Sequence, residues 1–130
     1  MSEYLPFWPK AAIGGYVLSA TPSYFYSRAL PTNGFTEVVM QEEVDADFGS
    51  SANTKIEIKP EISNDGVNWK ELSSTLSIPA TTGSGSFPKQ LTEKFTEIGA
   101  FMRAKVKIIN GEGADKWVVG TLLVAGTGRS

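Results

Sequence analysis

Apolar and polar residues alternate along Ile56-Glu57-Ile58-Lys59 and along Met102-Arg103-Ala104-Lys105-Val106-Lys107-Ile108. A period of two is that of a strand with one buried face. No stretch sustains a helical period. The pattern resolves into short runs rich in β-branched and aromatic residues, cut by Gly, Pro, Asn and Ser clusters. Runs over residues 15–20, 24–28, 35–44, 54–63, 67–72, 75–78, 100–109 and 116–125 read as strands, while 89–96 is ambiguous. Pro31–Gly34, Asn64-Asp65-Gly66 and Asn110–Gly113 are turn signals, and Ala80–Ser86 is a loop. About eight short strands at this spacing predict an all-β, antiparallel sandwich or jelly roll.

Within that frame two runs stand apart. Pro60 interrupts the run ending at Ser63 and, having no amide hydrogen, favours an edge or a bulge. The last run, Trp117-Val-Val-Gly-Thr-Leu-Leu-Val-Ala125, is apolar at both parities, which predicts cover on both faces. The cover is either the chain's own N-terminal arm or a loop, or else another subunit, with Trp117 and Leu122 as the contact candidates.

Residues 1–30 hold seven of the fourteen aromatics: Tyr4, Phe7, Trp8, Tyr16, Tyr24, Phe25 and Tyr26. Pro6, Pro9, Pro22 and Pro31 are expected to keep much of this part out of regular structure. It therefore reads as an extended aromatic arm with the first strands, followed by the sandwich over 31–130, in one domain overall. The arm packs either on its own sandwich or on a neighbouring subunit, since aromatics are enriched at interface cores. Tyr4, Phe7, Trp8, Tyr24 and Tyr26 are the candidates on that side.

Composition narrows the chemistry. The chain of 130 residues has no cysteine and no histidine. Thiolate or imidazole metal sites and histidine-based triads are excluded. Glu42 and Glu43 are neighbours and point to opposite faces of a strand, so they cannot share a substrate. The reading is of a protein that is not an enzyme and uses no cofactor. Asp45, Asp47 and Asp65 offer oxygens for calcium, but their spacing matches no calcium loop, and acidic turn residues usually cap turns; no metal is expected. A net charge of −2 with scattered Lys and Arg gives no nucleic-acid footprint. No run reaches the roughly 20 apolar residues of a membrane helix. The first nine residues lack the basic start and apolar stretch of a signal peptide, which predicts synthesis and use without secretion.

Ser63-Asn-Asp-Gly-Val-Asn-Trp69, followed by Phe101-Met-Arg103, resembles the Ser-x-Asp-Gly-x-x-Trp and aromatic-x-Arg strands of discoidin-like jelly rolls. A similar pair occurs in short structural proteins of tailed phages. The resemblance covers residues 56–109. It implies turn roles for Asp65 and Gly66, a core or inter-sheet place for Trp69, and an outward or pairing role for Arg103. The chain lacks the bracketing cysteines of the extracellular discoidin domains, which favours the phage type.

Together these features predict a non-enzymatic virion protein, made in the host cytoplasm. A capsid decoration or coat-associated subunit comes first, and a tail or fibre component is the alternative. Its partners would be copies of itself in a homo-oligomer and a larger protein shell. The rival reading is a carbohydrate-binding jelly-roll module, with Trp8, Tyr24, Tyr26 or Trp117 as stacking residues.

Overall fold

A computed structural model describes residues 2–17, 23–47, 55–72, 76–79, 89–109 and 116–130, with side chains for 2–8, 24–45, 56–72, 90–109 and 121–130. These residues form ten strands: β1 (Ser2–Val17), β2 (Ser23–Tyr26), β3 (Leu30–Pro31), β4 (Glu37–Asp47), β5 (Lys55–Ser63), β6 (Lys70–Glu71), β7 (Leu76–Pro79), β8 (Lys89–Phe95), β9 (Phe101–Ile109) and β10 (Lys116–Arg129). One sheet has the order β1-β10-β4-β8. The other has the order β2-β9-β5-β6, with β3 also on β9 and β7 also on β5. Every pairing is antiparallel. Taking β2 with β3, and β6 with β7, as single units gives eight units ordered 1-8-3-6 and 2-7-4-5. Successive units change sheets at every step but the fourth, which is the wrapping of an antiparallel jelly roll.

The alternation read in the sequence is the alternation of burial. Along β9, Met102, Ala104, Val106 and Ile108 are fully buried, and the residues between them are half-exposed. Ile56 and Ile58 on β5 face them across the same sheet, in register with Ile108 and Val106. Val38, Met40 and Val44 of β4, with Leu122 and Val124 of β10, supply the opposite wall.

Three expectations change here. Pro6 and Pro9 do not stop a strand: β1 pairs with β10 from Ser2↔Arg129 to Val17↔Lys116. The register shifts once between Leu5 and Trp8 and again between Trp8 and Ala11. Each shift is a bulge containing a proline, so the missing amide falls where the ladder is already interrupted. The aromatic arm is thus a sheet strand of its own chain. Leu122 lies in the core, fully buried, because β10 is a central strand between β1 and β4; it is not an interface residue. Its outward neighbour Leu123 is half-buried.

Pro60 sits in a strand paired on both sides. Its carbonyl accepts from the Leu72 amide at 3.0 Å. The nitrogen and carbonyl of one residue point to the same side of a strand. The absent N–H therefore falls at the break between β6 and β7, as a bulge requires.

Two glycines on the inner side of β10 make room for rings. A Cβ at Gly126 would lie 3.1 Å from the Phe7 ring, and one at Gly128 would lie 2.6 Å from the Phe35 ring. Gly99 is tighter against backbone. A methyl there would stand 2.6 Å from the Ser63 carbonyl oxygen. Thr32 holds the same loop, donating from Oγ1 to the Gly99 carbonyl at 2.8 Å. Gly99→Ala should therefore destabilise by about 1–3 kcal/mol, the usual cost of overpacking a site that cannot relax. Urea denaturation measures it, and a loss below about 0.5 kcal/mol would mean the loop moves freely.

Candidate functional site

The outer face of the six-stranded sheet brings two exposed aromatics, Tyr24 and Tyr26, together with a row of cations. Tyr24 and Tyr26 project outward from β2 opposite Lys107 and Lys105, and both remain about half exposed. On β9 and β5, Arg103 stands directly across from Glu61. Its Nε donates to Glu61 Oε1 at 2.7 Å, and Glu61 is buried. The guanidinium lies 4.4 Å from the Tyr26 ring centre and 4.1 Å from that of Trp69. A planar cation stacked against two aromatic rings and hydrogen-bonded to a carboxylate is a rigid unit.

Trp69 is therefore not a core residue, as the resemblance implied. It reaches the outer face because the turn before it ends without entering a strand, and β6 begins only at Lys70. The resemblance implied a core or inter-sheet place for it. Arg103, two positions after Phe101 and outward by the parity of β9, was the available signal that an aromatic could be held outside.

The neighbouring part of the face is a charge ladder. Lys105 donates to Glu71 at 3.0 Å, and Lys59 lies 3.6 Å from the same carboxylate. Hydrogen bonding from Lys105 is the main cause that holds the Glu71 carboxyl below its usual range, and the same bond raises Lys105. Lys105 and Lys107 also approach the Tyr24 ring, at 4.8 and 5.6 Å. Tyr24, Lys59, Glu71, Lys105 and Lys107 line a shallow depression.

Asp65 and Gly66 form the turn that follows β5. Gly66 takes a positive φ of 76°, which glycine adopts without strain. Asp65 Oδ1 accepts from the amides of Val67 and Asn68, both at 2.8 Å. Its Oδ2 accepts from Asn68 Nδ2 at 2.7 Å. These bonds, the Asn68 amide foremost, hold the carboxyl well below the usual carboxylate range. Asp65 is thus fully engaged with its own turn. Asp45 and Asp47 end β4 at the other end of the sandwich, separated from it by the length of β5, roughly 30 Å at 3.3 Å per residue. The three do not meet, and no group of three or more ligands for a metal occurs among the described residues.

The remaining candidates separate. Phe7 is in the core at 1% exposure, so it too is corrected from interface to interior. Trp8 bridges the two sheets within the chain, meeting Phe25 edge-on at 6.4 Å. Tyr4 is exposed on β1. Trp117 is placed by backbone register opposite Tyr16, and its side chain lies outside the described residues.

Two features escaped the sequence reading. The first is the free edge of β1. Over sixteen residues its one strand partner among the described residues is β10. The stretch Ala11-Ala-Ile-Gly-Gly-Tyr-Val17 carries neither charge nor proline. The second is a buried carboxyl, Glu42 on β4, with the half-buried Glu93 of β8 near it. Glu42 shares the inward parity of Met40 and Val44, a position the alternation in the sequence already marked.

No protein-family model matches the chain, and no curated protein matches it. A chain from the structure of infectious bursal disease virus, Gx strain, is similar at a TM-score of 0.38 and 9% identity. The likeness takes in 98% of this chain and 40% of that one, so this chain spans less than half of that protein's length. Likeness at that level carries no argument. The comparisons show neither the discoidin-like family nor the tailed-phage proteins.

Proposed function

We propose that the chain is a non-enzymatic structural subunit that assembles with copies of itself and with a larger protein shell, as a capsid decoration or coat-associated protein of a virion. The free edge of β1 carries this reading. An open row of backbone donors and acceptors is a template for another strand, and proteins ordinarily blunt such edges with charge, proline or bulges. Pro6, Pro9 and the two register shifts do so over the first half of β1. Residues 11–17 have none of these devices, which suits a strand added from a neighbouring subunit. The jelly roll is an architecture of viral shells and of lectins alike, so the fold agrees with the reading by analogy only.

Light scattering after size exclusion tests it. Ala12 and Gly14 stand in backbone register with Thr121 and Val119, and lysines there put charge on the stretch that has none. We expect an oligomer from the native chain and a monomer of unchanged melting temperature from Ala12→Lys/Gly14→Lys. A native chain that stays monomeric at every concentration, or an oligomer indifferent to the two lysines, would sink the proposal.

The exposed Tyr24 and Tyr26 favour glycan binding as a second reading. Cations already lie against both rings, which leaves less aromatic face for a sugar to stack on. Micromolar glycan binding lost in Tyr24→Ala would reverse the order of the two.

A further inference from the structure

Glu42 is fully buried, and its carboxylate oxygens have no hydrogen-bond partner from any other residue. Glu93 Oε2 is likewise buried without a partner. The two residues sit diagonally across one pairing, Glu42 opposite Leu91 and Glu93 opposite Met40. Strand neighbours in that relation lie close enough for long side chains to interact. β8 is the edge strand of its sheet, joined to it through β4. A carboxylate left unpaired in an apolar interior is among the costliest arrangements a fold can carry, and the ordinary escape is to keep the proton.

We propose that Glu42 and Glu93 form a proton-binding site inside the sandwich, and that loss of its proton releases the edge strand β8 from β4. The site is a latch. Protonated, it lets β8 close the sheet. Ionised, it places charge between the sheets beside a second carboxyl, and the least costly relief is for the strand with one partner to open toward water. Opening β8 would uncover the edge of β4 in turn.

The charges around the site support this assignment. Among the described side chains, the inward ones of β10 are Leu122 and Val124, those of β5 are Ile56, Ile58 and Pro60, and those of β9 are Met102, Ala104, Val106 and Ile108. Leu5 and Phe7 are the buried ones described on β1, and Phe25 of β2 packs on the same core. Glu93 is thus the titratable group that faces Glu42 among the described side chains. Lys89 shares the parity of Glu93 at the start of β8, opposite Val44, and its side chain lies outside the described residues.

Burial, and then Glu93, push the Glu42 carboxyl from 4.5 up to about 8, with its own backbone amide opposing. The unfolded chain gives up this proton near 4.5, whereas the folded chain keeps it to about 8. The native state therefore binds the extra proton between those values, and its stability falls as pH rises through that window. Above the window the loss is complete. The direction is opposite to that of a salt-bridged carboxylate.

The test compares the native chain with Glu42→Gln, Glu42→Leu, Glu93→Gln and Lys89→Met. Melting temperature is followed from pH 4.5 to 9, and hydrogen exchange of residues 90–95 is corrected for intrinsic rate. The native chain should lose on the order of 10 °C across the range, and its β8 amides at least tenfold in protection, ahead of those in β9. Both Glu42 variants should be nearly flat and should melt higher than the native chain above pH 7. Glu93→Gln should retain part of the slope, and Lys89→Met should retain all of it. Equal slopes in the native chain and the Glu42 variants would overturn the proposal, as would protection lost equally from every strand. A slope abolished by Lys89→Met, or one removed by millimolar calcium only while both glutamates are present, would also overturn it, by showing an ion pair or a cation in place of the proton.

Discussion

Phe7→Ala should destabilise the domain by about 3–5 kcal/mol, the usual cost of removing a core aromatic. Phe7 is exposed by only 1%, and its ring fills the space that Gly126 leaves open on β10. Alanine would leave a cavity that a strand with two neighbours, β10, cannot collapse into. Against a total stability of roughly 5–15 kcal/mol, such a loss lowers the melting temperature by on the order of 10–20 °C. Tyr4, three residues earlier, is 64% exposed, and Tyr4→Ala should fall within about 0.5 kcal/mol of the native chain. The pair separates a strand that completes its own core from an arm that docks elsewhere. Urea denaturation at two protein concentrations measures both. A Phe7→Ala effect that scales with concentration would show that β1 is borrowed from another subunit. An effect as small as that of Tyr4→Ala would show that it contributes nothing.

The alternation over β5 and β9 was legible because a period of two maps directly onto burial when one face is covered. The jelly-roll class followed from it. The fate of residues 2–17 was not legible. Proline argues against strand locally, and the two bulges that absorb Pro6 and Pro9 are set by pairing with β10, more than a hundred residues away. Leu122 shows a related limit. Apolar residues at both parities announce a covered strand without saying whether its own chain or a partner does the covering, and here β1 and β4 flank it. Trp69 failed for a different reason. The resemblance implied a core or inter-sheet place, but an arginine that is itself paired with a buried carboxylate gives the ring a surface to pack on outside. Glu42 was passed over because its neighbour Glu43 drew attention to the pair as a reactive group. Parity alone set it between Met40 and Val44, facing the core.

The two outer faces of the sandwich are chemically unlike. On the six-stranded sheet, side chains of opposite charge are paired and clamped by aromatics, so that face is ordered before any partner arrives. On the four-stranded sheet, Tyr4, Val39, Gln41, Thr92, Ala125 and Thr127 line a shallow, uncharged depression beside the first residues of β1, flanked by the Glu37–Lys94 and Glu37–Arg129 pairs. A subunit that pairs along β1 would bring a second copy of this neutral surface alongside, while the rigid charged face stays directed away from the seam. The proposed assembly therefore assigns recognition to β1 and its adjoining face, and assigns the Arg103 cluster to holding β2, β9 and β5 in one plane.

Arg103→Ala is the expected test of that last assignment. Removing the guanidinium leaves the Glu61 carboxylate buried at 6% exposure without its 2.7 Å partner. Breaking a buried pair from one side costs about 3–5 kcal/mol. The Arg103 side chain is itself 23% exposed, and water reaching the gap brings the expected loss to about 2–3 kcal/mol. Arg103→Lys should recover only part of this, because an ammonium has no planar face to stack on Tyr26 and Trp69 while it donates to the carboxylate. Replacing both partners, as Arg103→Met with Glu61→Leu, should restore most of the stability, since the cost lies in the unpaired charge and not in the absence of the pair. A double-mutant cycle between Arg103→Ala and Glu61→Ala should give a coupling above about 1 kcal/mol. Trp69 provides a local readout: losing its cationic neighbour exposes the indole, so its fluorescence should shift to the red in Arg103→Ala while the core stays folded. A loss under about 0.5 kcal/mol with unchanged emission would mean that the cluster only decorates the sheet, and that β2 is held by its backbone pairing with β9 alone.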